Sequence, residues 1–188
     1  AVTNAIRQKI TTNINQIGVH TGRLFCIWLI ALAASDAVIA DDAAVERGRY
    51  LSGAAGCMSC HTDAENDGIP FAGGHRLETP FGIFVVPNIT PDTDTGIGDW
   101  SDSEFVAAVL QGESPSDGYY YPAFPYPSYA GMREQDALDI KAYLDSLKPV
   151  TNKTGEHELR WYVPGRWAMS VWQIIFSPWD FSLLPADS

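Results

Sequence analysis

The amino-acid sequence predicts a small all-α domain with unusually long loops. Three stretches carry helical periodicity, and the segment between the first and the second is dense in turn formers. Residues 43–51 make the first stretch, with Ala44, Val45, Gly48 and Leu51 on one face and Gly48 as the expected point of close helix crossing. The second opens at a capping box, Ser101 with Glu104, runs over Phe105, Val106, Val109 and Leu110, and ends at Gly112. The third covers about residues 133–147, with Ala137, Ile140, Leu144 and Leu147 inward and Pro149 as its stop. Of the 188 residues, 46% are hydrophobic and 19% charged, the balance of a globular chain able to bury a core. The intervening segment contains Asp67-Gly68, Pro70, Gly73-Gly74, Thr79-Pro80, Gly82, Pro87-Asn88 and Thr90-Pro91. Such a segment holds its shape best by wrapping something flat and apolar. Phe71, Phe81, Ile83, Phe84, Val85, Val86 and Ile89 are then expected to face that object or the protein beneath it.

The run Cys57-Met58-Ser59-Cys60-His61 indicates what is wrapped. A Cys-x-x-Cys-His run is the attachment signature of haem c. Two thiols in one helical turn reach the two vinyl groups of one porphyrin edge, and the adjacent imidazole takes the iron from the proximal side. A redox disulfide needs a βαβ context that the surrounding sequence lacks. A zinc site needs further ligands, and the remaining cysteine, Cys26, lies in a leader-like segment. One covalent haem c on Cys57, Cys60 and His61 is therefore the leading reading. Metal-bound histidines donate their second N–H, and Pro70 is the expected carbonyl acceptor. Trp100 is expected either to donate its indole N–H to a haem propionate or to fill the core. Asp92-Thr93-Asp94-Thr95-Gly96 resembles the start of a calcium loop, but no glutamate closes it, so a hydrogen-bonded loop is favoured.

Arg7, Lys9 and Arg23 precede an apolar run, residues 24–34, that ends in small residues before Asp41-Asp42. This order predicts a signal peptide over residues 1–40, cleaved after Ala40, with retention as a membrane anchor as the alternative. Residues 41–150 form the predicted haem domain and 151–188 an aromatic extension for packing or docking. From Asp41 onward there are 22 acidic and 9 basic residues, a net charge of −13. Nucleic acid is excluded as a partner on that balance, and a basic surface on another protein is the expected complement. The extension carries Trp161, Tyr162, Trp167, Trp172, Phe176, Trp179 and Phe181 among few charges. Folding back on the domain, or docking of a short apolar helix over 168–176 on a protein or membrane surface, are its two expected uses.

The ordered motifs Arg-Gly-Arg-Tyr-Leu (47–51), Cys-Met-Ser-Cys-His (57–61), Phe-Ala-Gly-Gly (71–74), Thr-Pro-Phe-Gly (79–82), Asn-Ile-Thr-Pro-Asp (88–92), Thr-Gly-Ile-Gly-Asp-Trp (95–100) and Tyr-Pro-Ala-Phe-Pro-Tyr (121–126) carry a family resemblance. Over about residues 43–150 the chain resembles a haem domain from the cytochrome c subunits of membrane-associated bacterial alcohol, gluconate and aldehyde dehydrogenases, in a single-haem version. The resemblance implies a class I cytochrome c fold. It also implies electron transfer from a dehydrogenase or partner redox subunit to a downstream acceptor; the leader-like segment and the haem reading point to the periplasm, with membrane association as a further option. It places the distal methionine in the Pro-Ala-x-Pro-Tyr motif, where this chain has Phe124. Met132, His75 or an open site are the remaining options for the sixth position, Met132 being the nearest sulfur. An open iron would instead suit small-ligand binding or peroxide reduction, and a third possibility is a structural subunit of a redox complex. No residue points to substrate oxidation by this chain alone.

Overall fold

The computed structural model describes residues 42–116 and 118–176; the leader-like residues 1–40 and the last aromatic stretch from 177 lie outside them. Residues 42–54 are helical (α1), and the long helix α4 spans Glu134–Asp145. They cross at Gly48, where a Cβ would fall 1.8 Å from the Asp139 carbonyl oxygen. Only hydrogen fits there, so the backbones meet directly. Beside the crossing, Arg47 pairs with the carboxylate of Asp139, which is 2% exposed. Burial pushes that carboxyl up, but hydrogen bonds from Arg47 and Gln135 outweigh it and hold it below its ordinary value.

Between them come the short helix α2, Cys57–Cys60, and α3, Asp102–Val106. The capping box at α3 is present in both directions, Glu104 N–H to Ser101 Oγ at 3.3 Å and Ser101 N–H to Glu104 Oε2 at 2.8 Å. α3 widens into one π-helical turn over Ala107–Gln111 and stops at Gly112 in the left-handed region, φ 70°. A Cβ on Gly112 would strike the ring of buried Tyr126 at 2.5 Å, a second reason for glycine besides the backbone angle. The core joins Phe71, Ile97, Phe105, Ile140 and Leu144, with Leu51, Cys57, Trp100, Met132, Tyr143 and Leu147 packed against it. Ala137, Ile140 and Leu144 point inward from α4 as their spacing requires.

The expectation of an all-α domain is corrected, because the described chain carries five short strands in two antiparallel sheets. β1 (Arg76–Thr79) and β2 (Gly82–Val85) form a hairpin in the register Arg76↔Val85 to Thr79↔Gly82. Its turn is built by Thr79, whose hydroxyl donates to the Gly82 carbonyl at 2.8 Å and accepts from the Phe81 N–H at 3.1 Å. β3 (Glu113–Ser114) and β4 (Gly118–Tyr119) make a second, two-stranded sheet. β5 (Glu158–Leu159) then adds to the free edge of β2, giving the order β1-β2-β5. Gly82 permits this: a Cβ there would lie 2.3 Å from the Glu158 carbonyl oxygen. Asp67, Pro70 and Pro80 do lie in turns, whereas Thr79 and Gly82 end and begin strands; four-residue strands are too short for alternation to show, and the third strand arrives from far downstream.

β5 is locked by side chains as well. Arg76 pairs with Glu158 at 2.8 Å, Tyr162 donates to the Pro80 carbonyl at 2.8 Å, and the Val85 N–H donates to His157 Nδ1 at 3.2 Å. The described part of the extension includes α5, Trp167–Phe176, which packs on β4. Its inner side is held by Met169, 7% exposed, and by Gln173, which donates to the Gln111 carbonyl and accepts from the Tyr126 hydroxyl. Trp167, Val171, Ile174 and Ile175 stay exposed on the same helix, and Trp161 is 95% exposed just before it. No helix among the described residues is long and apolar enough to cross a membrane.

Two outcomes follow from these contacts. Gly48→Ala forces α1 and α4 apart and is expected to lower unfolding stability by roughly 1–3 kcal/mol or more, read by urea denaturation. Burial and nearby Arg166 hold the His157 imidazole below its ordinary value, so the Val85 bond is made by the neutral ring. Protonation then favours the unfolded chain: the contribution is complete above about pH 6.5, the unfolded value, and is lost as pH falls toward the depressed folded value. Unfolding midpoints measured across that range should fall less steeply toward acid in His157→Leu than in the wild type.

Candidate haem-attachment site

Gly56, at φ 75°, turns the chain out of α1 and starts α2. Cys57 and Cys60 are separated by one turn, so both thiols lie on one side of α2. The His61 N–H closes the turn on the Cys57 carbonyl at 2.9 Å. Cys57 packs on the core cluster, and burial pushes its thiol up to about 11. A dithiol oxidoreductase needs the opposite, a depressed first thiol.

His61 Nδ1 lies 2.8 Å from the carbonyl oxygen of Pro87. A carbonyl only accepts, so Nδ1 carries the hydrogen and Nε2 keeps the lone pair a metal needs. Burial lowers the affinity of His61 for a proton, against an opposing effect of Pro87, which suits a neutral imidazole ligand. Pro87 therefore holds the position expected of Pro70. Pro70 sits exposed in the turn before Phe71, whose own N–H bonds to Thr62 Oγ1 at 3.2 Å. From there the chain runs back past His61: the Gly73 N–H donates to the His61 carbonyl at 2.9 Å. Gly73, at φ 73°, lets the Pro87 peptide lie flat on it, since a Cβ would come within 2.4 Å of the Pro87 carbonyl carbon. The strand ladder continues through Gly74 N–H to Val86 O and Val86 N–H to His75 O, both 2.9 Å, delivering Pro87 to the ring. The sequence held that signal in the Gly73-Gly74 pair facing Val86-Pro87, legible only once the hairpin is recognised.

The other candidates separate clearly. The His75 carbonyl accepts from the Val86 N–H in the ladder that carries Pro87. Met58 is 52% exposed. Phe124 stands in a ring cluster with Tyr120, Tyr126 and Tyr129, centroids 5.7, 6.2 and 6.0 Å away. Tyr129 donates to the Ala55 carbonyl at 2.8 Å, which fastens the 124–132 segment over the attachment turn. Met132, bonded by its N–H to the Tyr129 carbonyl, packs on the same core cluster as Cys57. Trp100 packs there too. The Asp92 loop is hydrogen-bonded: its carboxylate accepts from the Thr95 N–H, the Thr95 hydroxyl and the Thr151 hydroxyl, each at 2.7 Å. Those bonds, Thr151 foremost, hold its carboxyl below the ordinary value. A groove of about 540 Å³ behind Gly73-Gly74 is lined by charges of both signs, among them Asp63, Arg76 and Glu158, with no convergent donor set.

Paired thiols, an adjacent imidazole in the right tautomer and an apolar cluster reaching Cys57 are the donor set that a covalently held haem requires. The comparisons agree. The cytochrome c family profile matches residues 45–148. A "Diheme cytochrome c-type" protein of Cereibacter sphaeroides is 42% identical over 69% of this chain and 45% of its own length. The "Gluconate 2-dehydrogenase cytochrome c subunit" of Pantoea cypripedii is 40% identical over 74% of this chain and 31% of its own. The "Alcohol dehydrogenase (quinone), cytochrome c subunit" of Gluconacetobacter polyoxogenes is 35% identical over 78% and 31%. The chain thus spans less than half the length of these relatives.

Gly73→Ala combines a left-handed backbone with a clash against Pro87. It is expected to cost roughly 2 kcal/mol or more, measured by thermal melting, and to free the His61 ring from its carbonyl.

Proposed function

The chain belongs to the cytochrome c family, and from that premise we propose that it is a monohaem electron carrier between a dehydrogenase or partner redox subunit and a downstream acceptor. Cys57 and Cys60 hold one haem c through thioethers, His61 is the proximal ligand and Met132 takes the sixth position. The observation that carries this reading is the His61–Pro87 hydrogen bond, 2.8 Å long, beside two thiols of one helical turn. When bound, the haem supplies a one-electron iron couple. The protein's own contribution is to fix the imidazole tautomer and to exclude water with the cluster around Phe71, Phe105 and Leu144, against which Met132 packs. Two features support Met132: its packing on the cluster that also takes Cys57, and its place beside the Tyr129 segment anchored at Ala55. Phe124, enclosed by three tyrosines, seals that segment and adds no ligand.

The redox partner carries a basic docking face, in keeping with the net charge of −13 from Asp41 onward and with exposed Glu65 and Asp67 near the attachment turn. The uncharged outer face of α5 is the contact with a dehydrogenase subunit, as the names of the gluconate and alcohol dehydrogenase relatives suggest. The setting is the periplasm, where covalent haem attachment is completed.

Oxidised and reduced absorption spectra with and without carbon monoxide test the assignment. The expected result is a low-spin spectrum with a far-red sulfur-to-iron band that resists carbon monoxide and disappears in Met132→Ala. A high-spin wild-type spectrum that shifts with carbon monoxide would overturn the Met132 assignment and favour small-ligand chemistry.

A further inference from the structure

The Pro87 carbonyl that holds His61 belongs to the Pro87–Asn88 peptide, and the Asn88 side chain is bonded at every position it offers. Asn88 is 3% exposed. Its Nδ2 donates to the Val150 carbonyl at 2.7 Å and to Thr95 Oγ1 at 3.0 Å. Its Oδ1 accepts from the Thr90 N–H at 2.9 Å and the Thr90 hydroxyl at 2.8 Å. Two donors and two acceptor sites are the whole capacity of an amide. The partners come from the loop just after Asn88 and from the segment leaving α4, separated from it by 62 residues. That segment is fastened once more by Asn152, whose N–H donates to Thr95 Oγ1 and whose Nδ2 donates to the Ala72 carbonyl next to Gly73. The peptide is held on three sides, by Gly73 against its face, by the Asn88 anchor at its nitrogen end and by His61 at its oxygen.

We propose that Asn88 is a positioning residue for the proximal histidine: its four hydrogen bonds aim the Pro87 carbonyl at His61 Nδ1 and thereby set how strongly that N–H is held. The proposal rests on the reading of His61 as the proximal ligand. A stronger bond gives the imidazole more negative character, which favours ferric over ferrous iron and lowers the reduction potential. The hydrogen bonds of the Asn88 side chain go to Val150, Thr95 and Thr90, so its link to His61 runs through the Pro87 peptide. A merely structural asparagine would affect stability and leave the potential alone.

The experiment uses the haem-loaded full chain, with the midpoint potential read by spectroelectrochemistry and solvent exchange of the His61 Nδ1 proton read by NMR. Asn88→Ala is expected to move the iron equilibrium about three- to tenfold toward the reduced form, tenfold being about 59 mV for one electron, and to speed that proton's exchange. Thr151→Val cuts a bond to Asp92 in the same network without touching Asn88; it should lower the melting temperature and leave the potential in place. If Asn88→Ala does not take up haem, Thr90→Val, which removes one of the four bonds, is expected to shift the potential the same way by less. An unshifted potential and unchanged exchange in the variant that loads, or an equal shift in Thr151→Val, overturns the proposal. A wild-type spectrum without a histidine-ligated thioether haem overturns the carrier reading and this proposal with it, and the spectrum distinguishes that case from the others.

Discussion

One hydrogen bond organises the centre of this protein, that from His61 Nδ1 to the Pro87 carbonyl. It selects the imidazole tautomer, and so it leaves Nε2 as the ring nitrogen with a free lone pair. Pro87 has no N–H of its own to place in a ladder, so its carbonyl must be steered by neighbours. Gly73 steers it from one side by leaving room, and the Asn88 bonds steer it from the other. The β1–β2 hairpin follows from the same requirement, since the ladder through Gly74, His75 and Val86 is what returns the chain to His61.

Around that centre, little regular structure is available, and buried polar groups do the work that sheets and helices do elsewhere. Thr90, Asn88, Thr95, Asp92 and Asn152 knit residues 88–95 to the segment after α4. Buried polar atoms without a partner are costly. Among the described residues no buried side-chain nitrogen or oxygen is left unsatisfied. A loop built this way is as specific as a strand, because each bond admits one donor and one acceptor in one geometry.

The helical part was legible in the residues for physical reasons that can be named. A capping box at Ser101 and Glu104, a period of 3.6 on α4 and a lone small residue on an apolar face at Gly48 are local signals, and each does what its chemistry demands. Cys57, Cys60 and His61 stand out in the residues because they form the Cys-x-x-Cys-His spacing that haem attachment would require. The hairpin and β5 were not, since a strand shows itself by pairing, and the partners here are four residues long or far downstream. Pro70, the expected acceptor for His61, is not the one in the structure, because the turn at Gly73 and the ladder beyond it bring the Pro87 carbonyl to the ring instead.

The closing strand has a consequence for how the chain comes to be folded. Tyr162 and Pro80, which fasten β5 to the hairpin turn, are 82 residues apart, as are Arg76 and Glu158. Until those late residues are synthesised, β2 has an unpaired edge on which another chain can build. Contacts of that span are slow to close, so the hairpin edge stays open longest. A chaperone or a neighbouring subunit that covers this edge during folding would protect the protein at its most vulnerable stage, and it would have to leave before β5 could dock.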